Sequence, residues 1–171
     1  HPTVKVLALA GVVLAGLAVA LAVAWQMLQS GSELAYWLGA WAPPLGVGLR
    51  ADGLSRVMMV ITAVVVAGIT VYACAEFRTP AGVTEARAPY VFWIMLLGIW
   101  CGLTAVFVSA DLFALYVALE LLTFSAMPLV CMDGRAETLQ AALRYMIFAL
   151  LGSVLYLLGA VLIYGAYGTL D

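Results

Sequence analysis

The chain has 171 residues, of which 67% are hydrophobic and 9% charged, with a formal net charge of −2. Ordinary soluble domains carry roughly 25% charged residues, so this composition excludes one, and seven basic against nine acidic residues leave no basic surface for nucleic acid. The fold class it predicts is all-α, a polytopic transmembrane helical bundle.

About 20 apolar residues cross a bilayer core as a helix. Charge-free runs at 6–27, 57–75, 90–110 and 145–170, and a fifth at 112–132 broken only by Glu120, predict five spans. Their expected limits are 4–28, 54–76, 89–109, 111–132 and 137–167, within one membrane domain covering 1–171. Lipid offers no partner to an unpaired peptide group, and the runs lack the alternation of barrel strands, so the spans are helices.

The chain opens on His1, read as a processed or truncated start. Ala22-Val23-Ala24 matches a signal-peptidase site only superficially, because the apolar run before it exceeds the roughly 7–15 residues of a signal core; it is read as the first span. Residues 29–53 form the longest connection, an extended or turning stretch at the membrane surface marked by Pro43-Pro44, Gly46 and Gly48. Trp25, Tyr36, Trp37 and Trp41 fit an interfacial aromatic belt there.

Asp52 or Ser55 is placed to cap the second span, with Arg56 and Arg78 as anchors at its ends. Pro89 suits a helix start, and Asp111 suits the cap of the fourth span. Ser109-Ala110-Asp111 is then a very short connection, which makes the third and fourth spans antiparallel neighbours. Gly98 and Gly102 form a GxxxG that permits close helix contact. Lys5, Arg78, Arg87 and Arg135 fall on one side and Arg50 and Arg56 on the other, favouring a cytoplasmic amino terminus.

Cys74, Cys101 and Cys131 lie far apart in apolar segments and read as buried small hydrophobes. With His1 the one histidine, no metal ligand set or cofactor site is expected. No phosphate loop and no nucleophile-base set is present, so no catalytic residue is expected on this chain.

Glu120 is the exception to the apolar pattern. A central ionised residue costs roughly 2.5–3.5 kcal/mol to insert, and from mid-span a glutamate is too short to reach the surface. At about 100° per residue, Ser109, Tyr116, Glu120, Thr123 and Met127 share one face. Pro128 has no N–H for the carbonyl of Phe124, which leaves that oxygen free beside the acid and predicts a hydrated kink. Two readings stand: a neutral acid hydrogen-bonded between helices, or a proton carrier. Arg144, on a face with Glu137 and Gln140 and about 10 Å below the surface, is the candidate cationic neighbour, able to tune the acid but not to release a proton. Its alternative is an arginine snorkelling to the interface.

Three stretches together, LGAWAPPLGVGLRADGLSRVMM, SADLFALYVALELLTFSAMPLV and AALRYMIFALLGSVLYLLGAVLIYGAYGTLD, resemble the antiporter-like membrane subunits shared by Mrp-type cation/proton antiporters and the membrane arm of respiratory complex I, with the D-type Mrp subunit closest. The resemblance runs from about Tyr36 to Asp171. It implies a larger fold of about fourteen helices built on inverted repeats, of which this chain looks like a fragment covering helices two to six. It implies a bacterial inner (cell) membrane, other membrane subunits as partners, and protons with Na⁺ as the transported ions. Glu120 falls on the family's fifth-helix glutamate, part of the proton path. Arg144 falls where relatives commonly carry a lysine, a departure that bears on proton release there. The expected function is a proton-translocating subunit of a multisubunit Na⁺/H⁺ antiporter, with Glu120 as the relay. The alternatives are a membrane subunit of a complex I-like or membrane-bound hydrogenase assembly, or a non-conducting remnant.

Overall fold

The computed structural model describes residues 2–31, 33–40, 46–76 and 87–170. His1, Trp41, Pro43-Pro44, Arg78 and Asp171 lie outside the described residues, as do the side chains of Lys5 and Arg87. Five long helices carry the fold: α1 (Pro2–Ser30), α2 (Gly53–Glu76), α3 (Arg87–Val108), α4 (Leu112–Val130) and α5 (Ala136–Tyr167). Each has a stretch long and apolar enough to cross a membrane. The chain is a multi-pass membrane helical bundle.

The connection between α1 and α2 is more ordered than an extended or turning stretch. Strands β1 (Leu34–Trp37) and β2 (Gly48–Ala51) pair antiparallel, Leu34 opposite Ala51 and Trp37 opposite Gly48. Trp37 explains why position 48 is glycine, since a Cβ there would lie 2.5 Å from its ring. Trp25, Tyr36 and Trp37 are exposed at this end of the bundle, where amphipathic rings favour a membrane interface.

Asp52 starts α2 by accepting the Ser55 N–H at 2.7 Å. The Ser55 hydroxyl is shared between Asp52 Oδ1, at 2.9 Å, and the carbonyl of Phe107 in α3. Asp111 likewise caps α4, accepting the Ala114 N–H at 2.6 Å. Both caps satisfy helix-start N–H groups that lipid would leave unpaired.

Helices α3 and α4 pack most closely, as their short connection predicts. A Cβ on Gly98 would lie 2.5 Å from Ser125 Oγ, and one on Gly102 would lie 3.1 Å from the Leu122 backbone. The GxxxG therefore lets two backbones approach directly. Trp93 and Leu96 of α3 pack with Ala73 of α2, and the Trp100 ring fills the space beside Gly16 of α1.

Contacts sort the loops by end. Ala110 N–H donates to Gly48 O at 3.1 Å and Leu112 N–H to Leu170 O at 3.0 Å, so the hairpin, the α3–α4 turn and the end of α5 meet. The short connection from α4 to α5 is at the opposite end. Cys74 and Cys131 are half-buried, but Cys101 is exposed. One residue before Gly102, it is turned about 100° from the α4 contact, which corrects its reading as a buried residue.

Candidate functional site

Glu120 stands eight residues into α4 and ten before its end, about 12 Å from one end and 15 Å from the other. The faces of α4 follow from its contacts. Measured from Glu120 at 100° per residue, Ser125 and Leu122, which meet α3, lie about 140° and 160° away. Tyr116, stacked on Tyr156 of α5, lies about 40° to one side. Phe124 and Val117, both exposed, lie about 40° and 60° to the other. Glu120 thus faces away from α3 and borders the seam between α4 and α5.

Its Oε1 is shut off from solvent and has no hydrogen-bond partner among the described residues. A shielded oxygen left unpaired costs about 1–3 kcal/mol. That cost falls whenever a hydrogen-bond donor approaches the oxygen.

The expected polar face is narrower than the sequence predicts. Ser109 precedes α4, bridges to Leu49 and donates to Val106 O at 3.0 Å, so it belongs to the end of α3. The Thr123 hydroxyl donates to Leu119 O at 3.0 Å, committing its proton to its own helix. Pro128 lies inside α4 and denies the Phe124 carbonyl its usual N–H. The helix continues through it to Val130.

Tyr116 is the member of that face with a partner on another helix. Its ring lies 6.2 Å from that of Tyr156 with 13° between the planes, and 6.3 Å from Phe113. The Tyr156 hydroxyl donates to Leu112 O at 3.1 Å. Sequence reasoning missed Tyr156, because its importance depends on which face of α5 meets α4.

Arg144 is not brought to Glu120. Tyr156 marks the side of α5 that meets α4, and the buried Ala142 and Ala160 lie about 40° from it. Arg144 lies about 120° from Tyr156 in the other direction and is exposed. Since Tyr156 is level with Leu112, Arg144 is about 18 Å and Glu120 about 12 Å below that level, close in depth but facing apart. Glu137, Gln140 and Arg144 share one face of α5, and by helical geometry it is the face turned from α4. Among the described residues the ion pair is Arg135 with Asp133, at 3.8 Å on the surface.

No group of three metal-ligating side chains occurs among the described residues. A cleft of about 260 Å³ lined by Met27, Leu28, Gly31, Gly53 and Arg56 opens at the hairpin end, away from Glu120.

Comparison with known proteins puts this geometry in context. Residues 109–171 match the family model described as NADH:quinone oxidoreductase/Mrp antiporter, transmembrane. The chain is 36% identical over 168 residues to the NADH-quinone oxidoreductase subunit N of Desulforudis audaxviator, covering 97% of this chain and 32% of that one. It is 30% identical over 134 residues to the D-type subunit of the Na(+)/H(+) antiporter of Bacillus subtilis, covering 78% of this chain and 26% of that one. It thus spans about a third or less of the curated relatives it matches. Among solved structures, the membrane-bound sulfane sulfur reductase, an archaeal respiratory membrane complex, superposes with a TM-score of 0.77 at 26% identity over 95% of this chain and 32% of that one.

Proposed function

From the match of residues 109–171 to the NADH:quinone oxidoreductase/Mrp antiporter membrane family model and the likeness to the relatives above, we propose that this chain is a member of that family and a proton-translocating part of a multisubunit Na⁺/H⁺ antiporter, with Glu120 as the intramembrane relay. The observation that carries this is the shielded, unpartnered Oε1 of Glu120 near the middle of a spanning helix. Such an oxygen gains most from whichever proton or donor reaches it. Tyr116 and Thr123 border the acid, and the Phe124 carbonyl one turn away lacks its usual N–H donor because residue 128 is proline. Arg144 is a permanent positive charge within the span, about one helical turn deeper than Glu120 and on a face turned from it. The relatives' names motivate other membrane subunits as partners, with protons and Na⁺ as the ions. The setting is a bacterial inner membrane with the amino terminus cytoplasmic.

The test is proton and sodium flux in membrane vesicles from cells producing Glu120→Gln or Glu120→Ala, with assembly checked alongside. Both variants are expected to lose coupled flux by at least about a hundredfold, the loss typical of removing an essential proton-transfer group. Wild-type flux in either one sinks the relay. It would leave the non-conducting remnant as the reading.

A second reading follows from the 36% identity to subunit N over nearly the whole chain: a membrane subunit of a redox-driven pump whose chemistry sits on other chains. Co-purifying flavin or iron–sulfur subunits would favour it. Small membrane subunits alone favour the antiporter.

A further inference from the structure

We propose that the stacked pair Tyr116–Tyr156 is an aromatic plug that closes the path from Glu120 to the hairpin end, so that the acid exchanges protons only toward the α4–α5 connection. This rests on the reading of Glu120 as a relay.

The geometry supports the plug step by step. Helical side chains lean toward the helix amino terminus, so the Glu120 carboxyl points back toward the turn that carries Tyr116. That turn is on the hairpin side. Tyr116 lies one turn from the acid on nearly the same face, and Tyr156 crosses the seam from α5 to stack on it. Phe113, one turn further out, contacts Tyr116 and extends the apolar barrier toward Asp111.

Two phenols beside a proton carrier raise the opposite possibility, a conduit. Relay along hydroxyls requires each one to accept a proton on one side and donate on the other. Tyr156 cannot do this in the observed geometry: its single proton is given to the Leu112 carbonyl at 3.1 Å, a backbone oxygen with no proton to pass on. The stack on Tyr116 is what keeps the ring across the seam. In the other direction from Glu120 lie the Thr123 oxygen and the Phe124 carbonyl, whose usual donor is replaced by Pro128. Both can hold a water by accepting from it. The pair is thus a positioning device: it decides which side the acid serves.

Passive proton entry into vesicles, driven by an imposed potential and read with a pH-sensitive dye, separates the possibilities. Tyr156→Ala is expected to raise the leak about threefold to tenfold, the rate equivalent of removing one aromatic pair from a barrier. Tyr156→Phe keeps the ring and is expected to match wild type in leak and in coupled flux. The double variant Tyr156→Ala/Glu120→Gln should return the leak to the wild-type level, which a merely loosened bundle would not do. Tyr116→Ala opens the same stack without touching the Leu112 bond and is read in parallel, so that poor assembly of one variant does not decide the matter.

Loss of coupled flux in Tyr156→Phe would overturn the plug in favour of a conduit. A wild-type leak in both assembled alanine variants would overturn it, as would a leak indifferent to Glu120→Gln. Glu120→Gln alone keeps the two readings apart. If it abolishes flux while the alanine variants stay tight, only the plug fails. If it leaves flux intact, the relay itself fails.

Discussion

Asp52 shows how a single side chain can organise a helix start without entering the transport chemistry. The Ser55 backbone N–H and hydroxyl hold its carboxyl below the usual carboxylate range, with Arg50 adding a smaller pull. A depressed value in the folded state means the cap's contribution is fully present above the ordinary carboxylate pKa. It is lost only as pH falls through the lowered value. Asp52→Asn is therefore expected to leave the pH profile of flux unchanged between about pH 5 and 9, the range above ordinary carboxylate titration; a shifted profile would show that Asp52 takes part in the transported proton's path. The caps were legible in the sequence because capping is local, decided by residue type and a spacing of three. Glu120 was legible too, since any central acid in an apolar run stands out on cost alone. Tyr156 and the direction of Arg144 were not, because each depends on how α5 is turned about its own axis.

At the level of elements, the tightest joint is between α3 and α4. A methyl group on Gly98 would meet Ser125 Oγ at 2.5 Å and Ser125 Cβ at 3.0 Å, and overpacking of this kind costs about 1–3 kcal/mol. Gly98→Ala is expected to lower the thermal stability of the detergent-solubilised protein accordingly, and Ser125→Gly in the same chain to recover part of the loss. Unchanged melting in Gly98→Ala would mean that the two helices are not in such close contact. The GxxxG spacing pointed to this joint, although the pattern is common in membrane sequences and carries little information before a partner is known. The hairpin was harder to see. Its four-residue strands are short, Gly and Pro dominate the stretch between them, and the pairing of Leu34 with Ala51 is set by contacts rather than by alternation.

For the whole molecule, the number of helices was readable and their faces were not. In water a helix declares its buried side by an apolar stripe, whereas a spanning helix is apolar all round because lipid and protein interior are alike to it. α5 makes the point, being charge-free from Tyr145 onward and largely exposed along its length. Loop contacts do fix which connections share an end, and the count of basic residues is what the proposed orientation rests on. Single cysteines at Gly134, between α4 and α5, and at Glu33, beside the hairpin, are expected to react with an impermeant maleimide from opposite sides of the membrane, Gly134→Cys from the cytoplasmic side. The reverse pattern would invert the proposed orientation. Substitution of the native cysteines removes their background, which matters most for Cys131 beside the α4–α5 connection.

The attachment of α5 to α4 has a mechanical side. At one end Tyr156 bonds to Leu112 O and Leu112 N–H to Leu170 O; at the other the connection is short, and Thr138 reaches back to Asp133 at 2.8 Å. The helix is strung like a bow, tied at both tips, and Glu120 sits along the untied middle. Neighbouring chains could therefore grip the loops on either surface without touching the stretch of the α4–α5 seam that holds the acid.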